Sequence, residues 1–160
     1  MNAFIKSIED NEIKPGSNVY AELGSTWRFL MRDPEQAAHV IGKLLLNVGE
    51  DNVLWGTDSI WYGSPQDQIQ AFRAFQIADR LRERFAYPRI TPSVRAKIFG
   101  GNAAKVYGLS AAEVKRHIGM DRVFQERLVY QDRPEPRFMT YGPKTRREFL
   151  RLQRRHPGPG

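Results

Sequence analysis

The stretch Asn52-Val53-Leu54-Trp55-Gly56-Thr57-Asp58-Ser59 decides how this chain is read. Its apolar run reads as a buried strand over 52–57, and it delivers one carboxylate, Asp58, at the C-terminal end. Ser64 then caps a long amphipathic helix, with Pro65 in its first turn. Ile69, Phe72, Phe75, Ile77, Ala78, Leu81 and Phe85 form a broad buried stripe along that helix, which runs to about Phe85. An acid placed where a strand gives way to a helix is where α/β enzymes put catalytic groups. The chain offers Asp58 no other metal-type or nucleophilic partner, so the segment reads as part of an enzyme site.

Upstream, residues 3–9 read as the last turns of a helix ending before the turn Lys14-Pro15-Gly16-Ser17. Residues 18–24 read as a strand, followed by a loop over 25–32 rich in large side chains. Asp33-Pro34-Glu35 is a helix start: a capping acid, a proline at the first helical position and a carboxylate near the positive end of the dipole. Ala37, Val40, Ile41, Leu44, Leu45 and Val48 recur at helical spacing, and Gly49 ends the run. Downstream, Thr91-Pro92 opens a helix that Gly100-Gly101 stops, with Asn102 as a fresh N-cap. Ser110-Ala111-Ala112-Glu113 is a capping box for a last helix to about Ile118. Strand–helix alternation with apolar strands predicts parallel pairing in an α/β fold. Two parallel strands alone make a poor sheet, because both edges stay open.

The chain has 160 residues, 41% hydrophobic and 27% charged, as in an ordinary globular protein. Its net charge of +7 is uneven: residues 120–160 hold ten Lys/Arg against five Asp/Glu, and residues 1–119 hold fifteen against thirteen. The basicity therefore belongs to the end of the chain. Residues 119–160 read as a basic, Pro-containing extension, partly disordered, with room for a basic helical segment over 146–155. A solvated tail is the simpler reading of it than a nucleic-acid arm, since aromatic residues are sparse where the arginines are densest. No cysteine is present, which excludes disulfides, thiolate metal sites and a cysteine nucleophile. That fits a cytoplasmic protein. No apolar run reaches the ~18 residues of a membrane span, and the N-terminus lacks a signal-peptide pattern.

Asn18-Val-Tyr-Ala-Glu-Leu-Gly24, the Gly56-Thr57-Asp58 strand end and Lys97-Ile-Phe-Gly-Gly-Asn102-Ala-Ala-Lys-Val-Tyr-Gly108-Leu together resemble the amidohydrolase superfamily, in its amidohydrolase-related branch of metal-dependent hydrolases and decarboxylases. The resemblance covers residues 1–118. It implies that the chain is a C-terminal portion only: βα units seven and eight of a (β/α)8 TIM barrel, plus C-terminal helices and the basic tail. It also implies that Asp58 is the aspartate of strand eight, a metal ligand and proton-transfer group beside a metal-bound water. The cofactor implied is a divalent metal, zinc first, with an incomplete site in this chain. The strand-one His-x-His and the later strand-end histidines of the family are absent, because His39, His117 and His156 end no strand.

The implied activity is hydrolysis or decarboxylation of a small organic acid or amide, with weak or no turnover by these residues alone. The implied partners are a small-molecule substrate and either a homo-oligomer or a complementing chain that supplies the rest of the barrel. Each residue also has a plainer reading. Asp58 can be a helix-capping acid, and Glu22 is as readily structural as site-lining. Trp55 alternates out of phase with Asp58 and packs under a helix. Trp61 and Tyr62 can wall a substrate pocket. Trp27 and Arg28 follow the earlier strand in the same way, and Arg28 can meet a substrate carboxylate or be a surface charge. His39 reads as a partly buried helix residue. The alternative function is a non-catalytic basic binding or scaffold protein that uses the arginine-rich residues 122–155.

Overall fold

The computed structural model describes residues 2–132. The chain divides into two compact units, Met1–Ser110 and Ala111–Gly160. In the first unit, α1 (Asn2–Asp10) precedes β1 (Ala21–Glu22), α2 (Gly24–Leu30) and α3 (Pro34–Asn47). Then come β2 (Val53–Leu54), a single turn α4 (Ser59–Tyr62), α5 (Gln66–Ala74), α6 (Asp79–Phe85), α7 (Pro92–Ala96), a π-helical turn (Lys97–Gly101) and α8 (Asn102–Val106). None of the described helices is long and apolar enough to cross a membrane.

The two strands are parallel, with Ala21 opposite Val53 and Glu22 opposite Leu54. Helices α2 and α3 lie between them in sequence, so the unit is a parallel β–α–β crossover, mostly helical, with an α/β character. The ladder is shorter than the sequence predicts for 18–24 and 52–57. Among the described residues each strand has one neighbour, and Gly24 at φ +28° already turns the first strand into α2. The buried Asn52 donates from its side chain to the carbonyls of Ser17 and Val19, which ties the two strand entrances together.

α3 begins as its sequence directs: Asp33 accepts from the amides of Glu35 and Gln36, and Pro34 is the first helical residue. Its buried face, Ala37, Ala38, Ile41, Leu44 and Leu45, joins Leu23, Trp27, Val53, Phe72, Phe75, Ile90 and Ile98 in one core. Fully burying one such large side chain contributes about 1.5–3 kcal/mol.

Three sequence expectations are corrected here. The predicted loop over 25–32 is helix α2, because Leu23 and Trp27 at i, i+4 are both 1% exposed and Leu30 packs against the same core. The predicted long helix to Phe85 is broken after Ala74. Phe75 and Ala78 adopt extended ψ values, Phe75 and Ile77 stay buried with Gln76 exposed between them, and Arg95 donates to the carbonyls of Phe72 and Phe75. That guanidinium satisfies the orphan carbonyls at the end of α5. Gly100-Gly101 does not stop a helix: the backbone continues from α7 through the π-helical turn into α8. The buried Asn102 is helical instead of a fresh cap, and its side chain donates to the carbonyls of Glu50 and Val53.

In the second unit, α9 (Ala111–Met120) follows Ser110 as expected. Beyond it, where the sequence pattern fades, α10 (Arg122–Asp132) forms. Asp121 supplies the start by accepting from the Val123 amide, and Arg122 pairs with Glu126 one turn on. The basic segment over 146–155 and the Pro-containing tail lie outside the described residues.

Candidate active site

Asp58 lies four residues beyond β2, just before the turn α4, in a left-handed conformation, φ 48° and ψ 33°. Aspartate tolerates this region better than most residues, yet a non-glycine residue there still carries strain. The turn aims the carboxylate back at the start of α2. Asp58 Oδ2 accepts from the Ser25 amide at 2.8 Å and from the Ser25 hydroxyl at 2.6 Å. Ser25 Oγ lies 3.0 Å from the Tyr62 hydroxyl. With its one proton given to Asp58, Ser25 Oγ accepts from Tyr62, so a hydrogen-bonded chain runs Tyr62–Ser25–Asp58. Both bonds to Asp58 end on Oδ2, and Oδ1 takes no part in them.

Glu22 brings a second carboxylate to the same place. Its Oε1 accepts from the Gly24 amide at 2.9 Å. Two glycines make the room. A Cβ on Gly24 would lie 2.7 Å from Glu22 Oε2 and 3.0 Å from Asp58 Oδ2, and a Cβ on Gly56 would overlap Glu22 Oε1. Both carboxylates therefore converge beside the Gly24 Cα. Each also satisfies an amide of the first turn of α2, where backbone N–H groups lack helical partners and negative charge is favoured. Asp58 makes no side-chain cap bond to α4, the turn it precedes; its Oδ2 is held by Ser25 at the start of α2 instead. That arrangement leaves Oδ1 and Glu22 Oε2 for other work.

The remaining candidates separate. Trp27 is a core residue: it lies edge-on to Phe72 with ring centroids 5.0 Å apart, and donates its indole N–H to the Gln68 carbonyl at 3.0 Å. Its ring offers no wall to a ligand, because α2 turns it inward. Arg28 is held by Asp67 at 2.6 Å and lies over the Tyr62 ring at 5.7 Å, so it is neither a free surface charge nor an open carboxylate receptor. Ile60 and Trp61, at 84% and 78% exposure, stand out from α4, and Phe29 meets Tyr62 edge-on. Trp55 packs on Phe72 and Phe99, as its alternation predicts. His39 lies on α3 with Nδ1 3.1 Å from the Tyr87 hydroxyl. That ring lines a groove of about 480 Å³ that includes neither Asp58 nor Glu22.

Sequence reasoning missed Ser25, Gly24 and Gln68, whose side-chain amide donates to the Thr57 carbonyl at 2.8 Å. Ser25 sits at a helix start, but its acid partner lies 33 residues on, beyond the reach of local sequence signals.

The donor set does not fit a metal by itself. Among the described residues no three His, Asp or Glu side chains gather as a metal ion needs. Two carboxylates, one already holding Ser25, fall short of a four-coordinate zinc site. What the arrangement can do unaided is hold one carboxylate rigidly, present a free oxygen from each of two acids, and link Asp58 to a phenol through one hydroxyl.

A family model described as Amidohydrolase matches residues 12–109, more than half of the chain and wholly within the first unit. No curated protein and no solved structure matches the chain.

Proposed function

The chain belongs to the amidohydrolase family, and from that premise we propose that it supplies the acid–base portion of an active site that hydrolyses or decarboxylates a small organic acid or amide. The observation that carries this reading is the convergence of Glu22 and Asp58 at the C-terminal ends of two parallel strands. In α/β folds that end of the sheet is where catalytic groups collect.

In this reading β1 and β2 are strands seven and eight of a (β/α)8 barrel, and residues 1–118 are its C-terminal part. The two-residue ladder supports it, since such a sheet needs further strands for stability. A complete barrel of this kind would need further strands and the histidines of a divalent-metal site, which the described residues do not supply. That metal would be zinc or a similar ion.

Asp58 is the proton-transfer group. Ser25 fixes Oδ2, so Oδ1 is the oxygen that takes a proton from an attacking water and returns it to a leaving nitrogen. Glu22 orients the same substrate from the neighbouring strand. Trp61 and Tyr62, on the turn after Asp58, form one side of the pocket; Arg28 acts behind them by holding the Tyr62 ring.

The test is an assay of the purified 160-residue protein with zinc, manganese or no added metal on a panel of amides and aromatic carboxylic acids. Weak or no turnover is expected. Robust metal-dependent turnover would show that the described acids need nothing further and would overturn the division of the site.

A further inference from the structure

We propose that Gln68 is the positioning residue for Asp58, acting through the Thr57 carbonyl. The inference rests on the reading of Asp58 as the reactive carboxylate, but its geometry is independent of any turnover.

Gln68 is the third residue of α5, 0% exposed, in a position where a polar side chain is costly. Its Nε2 donates to the Thr57 carbonyl at 2.8 Å, while its Oε1 is buried with no hydrogen-bond partner among the described residues. The amide orientation is fixed by Thr57, because exchanging the two atoms would set two acceptors against each other. A buried amide with one orphaned end stabilises the core less than an apolar side chain of the same volume would. What it does achieve is to anchor one specific peptide group.

That peptide is the link between Thr57 and Asp58. Holding its carbonyl constrains the torsions on either side, including the left-handed φ of Asp58 that turns the carboxylate toward Ser25. Gln68 is itself well placed to act as the fixed point. Its backbone carbonyl accepts from the buried Trp27 indole, and its backbone N–H donates to Asp67 Oδ1 at 2.9 Å. Trp27 belongs to α2, the helix whose first turn carries Ser25. The backbone of Gln68 thus grips one end of the Ser25–Asp58 contact and its side chain grips the other.

The experiment is amide proton NMR on the 160-residue protein and on Gln68→Met, which keeps the volume and removes the donor. The Ser25 amide, bonded to a carboxylate, is a direct reporter of the contact, and Asp58→Asn supplies its reference for a lost charge. The Trp27 indole proton reports whether α5 remains seated, since its acceptor is a backbone atom that the substitution leaves in place. In Gln68→Met the Ser25 amide is expected to lose its downfield shift and to exchange roughly tenfold faster, with the Trp27 indole resonance unmoved. A lower denaturation midpoint with the Ser25 amide unchanged would mean that Gln68 only fills the core, and would overturn the proposal. If Gln68→Met does not fold, the wild type decides. The Gln68 side-chain amide and the Ser25 amide should show matching protection, each relative to its own unprotected exchange rate, as one opening unit. Unrelated protection would overturn the coupling. Absence of catalysis in any assay would bear on Asp58 as the reactive group and would leave these readouts intact.

Discussion

Ser25 gives both its amide and its hydroxyl to the same oxygen of Asp58, at 2.8 and 2.6 Å, across 33 residues of sequence. One contact thereby joins the start of α2 to the end of the second strand and leaves the other Asp58 oxygen uncommitted.

Ser25→Ala removes the hydroxyl from this contact and keeps the amide. A hydrogen bond to a charged group is worth about 1.5–3 kcal/mol, less where the site is partly exposed as here. The expected cost is about 1 kcal/mol in urea denaturation. An unchanged midpoint would mean that the hydroxyl contributes nothing to holding Asp58.

Gly56→Ala and Gly42→Ala separate site damage from fold damage. At Gly56 the added methyl meets chiefly the flexible end of Glu22, which can swing away. Stability should change by less than about 1 kcal/mol, near the range usual for substitutions that touch no core feature, while any ligand affinity that depends on Glu22 is lost. At Gly42 the methyl would overlap the buried Tyr87 ring, which packs directly on that helical position. Overpacking of this kind costs about 1–3 kcal/mol. Equal effects of the two variants on a denaturation curve would contradict this division.

Asn102→Ala leaves the carbonyls of Glu50 and Val53 without their shared donor. An unpaired buried acceptor costs about 1–3 kcal/mol, as at Val53, and less where partly exposed, as at Glu50. A loss of roughly 3 kcal/mol is expected, and Asn102→Asp should not restore it, because a carboxylate cannot donate. Recovery by aspartate would show that the contact is not a donor pair.

The alkaline limb of stability follows from Tyr87 and Lys97. Burial pushes the Tyr87 phenol above its ordinary 10.0, and hydrogen bonds to Glu50 and Asp51 hold the Lys97 ammonium above 10.5. In both cases the folded state keeps the proton more tightly than the unfolded chain. Their contribution is therefore whole below about pH 10 and is lost as pH climbs through the folded values. In a tyrosinate absorbance titration Tyr87→Phe should remove a phase that ionises above 10.0. If the variant lacks no such late phase relative to the wild type, the assignment fails.

The elements most legible in the sequence were those with local signals. Asp33-Pro34 and Thr91-Pro92 start helices because capping oxygens and proline act within one turn. The second strand was legible from its apolar run, but it ends at Leu54, short of Asp58. Helix α2 was not, because Trp27, Phe29 and Met31 look like a cluster of large loop residues until Leu23 is paired with Trp27. The break after Ala74 was invisible because Phe75 and Ile77 are buried in an extended segment as readily as in a helix, and the group that caps the break, Arg95, lies 20 residues away. Ser25, 33 residues from Asp58, and Gln68, 11 residues from Thr57, were hidden because each meets the Asp58 turn from another helix. Glu22 was in view, but its role depended on Gly24 and Gly56, whose missing side chains are the space it occupies.

The most direct test of the central claim is the dependence of turnover on Asp58 in a complete barrel, made by joining this chain to segments that supply strands one to six with their histidines. The account predicts metal-dependent hydrolysis or decarboxylation that falls about 10²–10⁴-fold in Asp58→Asn, the range of a lost acid–base group, with the fold retained. Turnover that survives Asp58→Asn within a few-fold would contradict it and return Asp58 to a helix cap.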